Sequence, residues 1–104
     1  MKIELQNLIG RTTHGLIALD MALQDKPEEF KRYAKDFLSI KQEEVEKAFY
    51  FLIPEAQKEI WRRIAEVQAS LQFHQAAYKN QKEIYLTLKS LLDMMYAISK
   101  LSRR

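Results

Sequence analysis

At 104 residues the chain has room for one domain spanning 1–104 and enough length to bury a core without staples. It contains no cysteine, which excludes disulfides and thiolate metal sites. The net charge of +3 is uneven: residues 1–53 hold eight Lys/Arg and nine Asp/Glu (−1), whereas 54–104 hold nine and five (+4). Such a bias attracts phosphate or acidic partners but is common in proteins that bind neither.

Two glycines and two prolines leave almost no hairpin chemistry, so the chain reads as all-α. The longest apolar run, Ala48 to Ile53, is far too short for a bilayer, so no membrane contact is expected. The first residues, Met1 to Asn7, mix an acid and two amides where a secretory signal needs an apolar block, so no such signal is expected, and the lack of cysteine favours a cytoplasmic setting.

The first helix is expected over about Lys2 to Gln24, on the stripe Leu5, Ile9, Thr12, Leu16, Leu19 and Leu23. Its weak stretch is Gly10 to Gly15, where two glycines and two threonines together cost on the order of 3 kcal/mol of helix preference. Either glycine admits a close helix crossing, or the helix breaks, or Arg11 and His14 build a small polar site there. In Asp25-Lys26-Pro27-Glu28, Asp25 can cap the next helix and Pro27 suits its first turn. That second helix is expected to run unbroken to Leu52, solvated at Lys41–Glu44, with Phe30, Ala34, Phe37, Leu38, Val45, Ala48, Phe49 and Leu52 facing inward.

Phe49-Tyr50-Phe51-Leu52-Ile53 places large apolar groups all round the helix end, more than one core can bury, and Pro54 then forces a tight turn or kink. Phe49, Tyr50 and Phe51, joined by Trp61 about two turns onward, are therefore the candidate partner-binding residues.

The stretch Glu55–Leu101 has neither Gly nor Pro, and Ile60, Ile64, Val67, Leu71, His74 and Tyr78 lay one stripe along it. Within it Lys58, Arg62 and Arg63 alternate with Glu55, Glu59 and Glu66 as helix-supporting pairs. His74 is expected as a core histidine bonded to Tyr78 or a facing acid. The polar run Lys79–Glu83 shifts the phase of the apolar repeat and predicts a break near Asn80. The last helix then shows the broad face Ile84, Tyr85, Leu88, Leu91, Leu92, Met95 and Ile98, which suits an antiparallel four-helix bundle. The alternative is three helices, the last about 45 residues and 70 Å long, which only a dimer could cover.

Chemistry is marked mainly by what is missing. Glu-x-x-His pairs, a Gly-rich phosphate loop and a Gly-x-Ser-x-Gly elbow are all lacking, and two separated histidines cannot hold zinc unaided. No enzyme activity, metal or cofactor is expected. Lys82, Lys89, Tyr96 and Arg103 recur at sevenfold spacing, with Lys79 and Lys100 beside them. They form either a solvated outer face or a cationic ladder able to follow a phosphate backbone.

The stretch Asn80-Gln81-Lys82-Glu83-Ile84, with Leu88, Leu91, Leu92, Met94 and Met95 after it, resembles the last helix of flagellar and type III export chaperones over about a fifth of the chain. The resemblance implies a small cytosolic helical protein holding an export substrate in an apolar groove; the charged flexible tail of those chaperones is missing here. The sequence thus points to a protein-binding module or chaperone-like adaptor, self-associating or with a heterologous protein partner. The competing expectation is a nucleic-acid-associated protein using the ladder.

Overall fold

The structure, a computed structural model, describes residues 3–101. Six helices account for nearly all of them: α1 (Ile3–Leu23), α2 (Pro27–Leu38), α3 (Gln42–Ala48), α4 (Pro54–Leu71), α5 (His74–Lys79) and α6 (Gln81–Leu101). The class is all-α. No described helix is long and apolar enough to cross a membrane.

Paired contacts fix the helix directions. Thr12 meets Met95, and a Cβ at Gly15 would meet Leu88, so α1 and α6 run antiparallel. Arg11 reaches Ser39 while His14 reaches Asp36, so α1 and α2 do the same. Buried side chains from all six helices join in one cluster, inside a molecule measuring 42 × 23 × 20 Å.

Helix α1 passes unbroken through Gly10–Gly15, and the close-crossing reading holds for Gly15, whose missing Cβ would lie 3.2 Å from the Phe37 ring. The inward face starts at Leu5, Leu8, Ile9 and Thr12 and ends at Ala18, Leu19 and Ala22, leaving Leu23 exposed. A straight helix drifts by about 20° per heptad, which rotates the face off a strict seven-residue stripe.

Asp25 does not cap α2. It closes α1: the Lys26 amide donates to the Met21 carbonyl at 2.9 Å, that of Asp25 to Ala22 at 3.2 Å, and Asp25 takes the left-handed φ of 56°. This is the Schellman ending, in which a short polar residue can stand where glycine is usual. Pro27 opens α2 as expected.

The long second helix is corrected: it breaks at Ser39–Lys41 into α2 and α3. Continued past Phe30, Ala34 and Phe37, an unbroken helix would bring Lys41 next to the core face. The break instead buries Ile40 and leaves Lys41 exposed. Side chains from elsewhere satisfy the freed backbone groups. Gln68 of α4 donates its Nε2 to the carbonyls of Phe37 (3.1 Å), Leu38 (3.4 Å) and Ile40 (2.9 Å), and Glu44 Oε1 accepts from the Lys41 amide at 3.0 Å.

The organising stripe is also shorter than expected. Ile60, Ile64, Val67 and Leu71 are buried, but α4 stops at Leu71. Phe73 is extended (φ −131°, ψ 136°) and caps α5, so His74 is only half-buried and Tyr78 exposed, while Ala77 packs inward. His74 stacks edge-on against Phe30, with Nε2 3.7 Å from Asp25 Oδ1, beyond hydrogen-bond range.

The break near Asn80 is present; its Nδ2 donates to the Ala76 carbonyl at 3.1 Å, and its own carbonyl receives the first α6 bond, from Ile84. A continuous 45-residue helix is thereby excluded, and with it the need for a second chain to cover one. On α6, Ile84, Leu88, Leu91, Leu92 and Met95 are buried, whereas Tyr85 is exposed.

Candidate functional site: the α3–α4 corner

Residues 49–53 join α3 to α4. Four hydrogen bonds set their path. The Phe49 amide donates to the Val45 carbonyl and that of Leu52 to Phe49, both at 3.0 Å. Gln57, one turn into α4, donates its Nε2 back to the carbonyls of Phe49 (2.8 Å) and Leu52 (3.2 Å). Ile53 is extended, as the residue before proline prefers, and Pro54 opens α4 where no amide hydrogen is needed.

The corner divides its apolar side chains between two tasks. Phe49, expected as a partner residue, is fully buried, because the turn at the end of α3 directs its ring into the core beside Val45 and Ala48. That expectation is corrected. Tyr50, Phe51 and Ile53 face outward, with 59%, 51% and 66% of their surface exposed. Phe51 links the two sets: its ring lies 6.5 Å from that of Phe49 and meets Tyr50 edge-on at 5.4 Å. Such T-shaped pairs add to area burial and hold both rings in place. Trp61 is half-buried against the core and thus contributes mainly to packing. Ile53 was missing from the expected set; its place just before Pro54, forced out of α geometry, is the signal that could have found it.

Arg11 and His14 are brought together, on one side of α1, and both meet Asp36. His14 Nδ1 lies 2.5 Å from Asp36 Oδ2, and the imidazole stands edge-on to Tyr33 at 5.4 Å. Arg11 donates Nε to the Asp36 carbonyl (3.2 Å), Nη2 to Ser39 Oγ (2.7 Å), and Nη1 to Asn7 Oδ1 (3.2 Å) and Glu44 Oε2 (2.5 Å). The guanidinium therefore staples α1 across the break between α2 and α3. Its hydrogen bond holds the Glu44 carboxyl below its ordinary value of 4.5. With each guanidinium nitrogen already bonded inside the fold, Arg11 has little left for a ligand.

On α6, Lys82, Lys89 and Tyr96 are exposed. Lys89 lies 3.7 Å from Asp93, which dilutes the ladder with an acid. Arg103 lies outside the described residues. Of the pairs expected on α4, those of the two arginines are present: Arg62 bonds Glu59 (2.6 Å) and Glu66, and Arg63 bonds Glu59 (3.2 Å). Two guanidinium partners lower the Glu59 pKa to about 2. Among the described residues, no three His, Asp or Glu side chains gather as a metal set.

Comparison with family models, with curated proteins and with solved structures finds no match to the chain.

Proposed function

We propose that the protein is a small helical protein-binding module, an adaptor or chaperone-like holder, that engages its partner through Tyr50, Phe51 and Ile53. The observation that carries this reading is the contrast within one turn: Phe49 is sealed in the core, while the next large apolar groups are displayed on a hydrogen-bonded corner. A side chain held in place before binding loses little entropy when it docks, and rigid aromatics are the residues that dominate interface energies. The α6 ladder supports a nucleic-acid reading less well, because Glu83 and Asp93 are interspersed with its lysines.

Capture from an extract of the native host tests the reading. Immobilised wild-type chain should retain a protein that Phe51→Asp and Ile53→Asp release, with helicity by circular dichroism unchanged in both. Lys82→Glu with Lys89→Glu should retain it. The converse pattern, loss with the α6 variant alone and steep weakening by salt, would transfer the function to the ladder.

A further inference from the structure

The corner shares its end of the molecule with two other exposed apolar groups. Thr12 meets Met95 and a Cβ at Gly15 would meet Leu88, so α1 begins beside the end of α6. Ser70 shares a surface depression with Glu83, and Arg62 another with Ser90, so α4 also begins beside the end of α6. At 21 residues and about 31 Å each, α1 and α6 fit only along the 42 Å dimension of the molecule, which leaves an end of 23 × 20 Å. That end gathers five large apolar side chains, each more than half exposed: Ile3 of α1, Leu101 of α6, and Tyr50, Phe51 and Ile53 of the corner.

We infer that this end is covered by the same end of a second copy, in a twofold end-to-end dimer. The inference rests on reading the corner as a partner surface; it enlarges that surface and names what covers it. The five side chains offer on the order of 600 Å² per copy, about 1,200 Å² for two, which reaches the lower bound of a standard specific interface. Apolar residues scattered singly need no partner, but a patch of about this size stands at the upper limit of what monomers leave in water. A twofold contact sets each patch against an identical one, so an apolar surface of matching size is supplied without a second kind of chain. Within four positions of the five residues the sequence carries five Lys/Arg and three Glu, a small net charge whose repulsion salt screens.

Sedimentation equilibrium of the intact chain, from micromolar to millimolar concentration, tests this. Wild type should rise to two copies and level there, and added salt should not weaken it. Small-angle scattering of the dimer should give a length about twice the 42 Å of one copy. Ile3→Asp and Leu101→Lys place charges that suit their helix ends, so each should fold normally while association falls roughly tenfold or more. Phe73→Asp and Leu86→Asp change side chains that are equally exposed but lie away from that end, and both should dimerise as wild type does. Circular dichroism checks the fold of each variant.

Growth beyond two copies, marked weakening by salt, or a dimer no longer than one copy overturns the end-to-end contact. So does association that survives Ile3→Asp and Leu101→Lys but is lost in Phe73→Asp or Leu86→Asp. A wild-type chain that stays monomeric throughout overturns self-association altogether and leaves the corner reading in place. That reading falls separately, with loss of the capture difference between wild type and Phe51→Asp.

Discussion

The two glycines of α1 look alike in sequence and do opposite things. Gly10 is exposed, with nothing within 4 Å of the Cβ it lacks, so alanine there should stabilise the protein by about 0.5–1 kcal/mol through helix preference alone. A Cβ at Gly15 would lie 3.2–3.3 Å from Phe37 and Leu88, both fully buried. Alanine at Gly15 should cost about 1 kcal/mol net, overpacking outweighing the same preference. Urea unfolding of the two variants side by side reads the difference. Glu44 offers a pH-dependent counterpart. Its folded pKa is depressed by the Arg11 hydrogen bond, so its contribution is present above the unfolded value and is lost as pH falls through the folded one. Glu44→Gln should therefore be less stable than wild type at pH 7, by under about 1 kcal/mol since the pair is partly solvated. The gap should close progressively as the pH is taken well below 4.5.

At the scale of helices, what could be read in advance was whatever is written in local chemistry. Pro27 and Pro54 marked helix starts, Asn80 marked a break, and the stripe from Ile60 to Leu71 marked a buried face. The breaks at Ser39–Lys41 and Gln72–Phe73 were not legible, because neither contains Gly or Pro, and the first is stabilised from a distance. Gln68, some thirty residues away, supplies the hydrogen bonds that make the first break tolerable, and nothing near Ser39 announces it. Lys41 beside an inward position was the one available hint. Gln68→Ala should accordingly destabilise the fold by about 1–2 kcal/mol, the cost of leaving partly buried carbonyls without a donor. Gln72→Ala, at an exposed position, is the control in the same denaturation series.

Taken as a whole, the molecule buries one continuous core and leaves large apolar side chains exposed on α1, the α3–α4 corner, the α4–α5 link, α5 and α6. The aromatic surplus near Phe49–Ile53 was visible as too many large side chains for one helix end. Which of them would be displayed was not, since that depends on the turn set by Gln57 and Pro54. A display of Tyr50, Phe51 and Ile53 on a fixed corner is the basis for expecting macromolecular binding. The most direct test is the affinity of the captured protein partner, measured by titration calorimetry for wild type and Phe51→Ala with helicity confirmed unchanged. Phe51→Ala should lose about 2 kcal/mol, roughly thirtyfold, as for a central aromatic anchor; equal affinity for the two proteins would contradict a binding role for the corner.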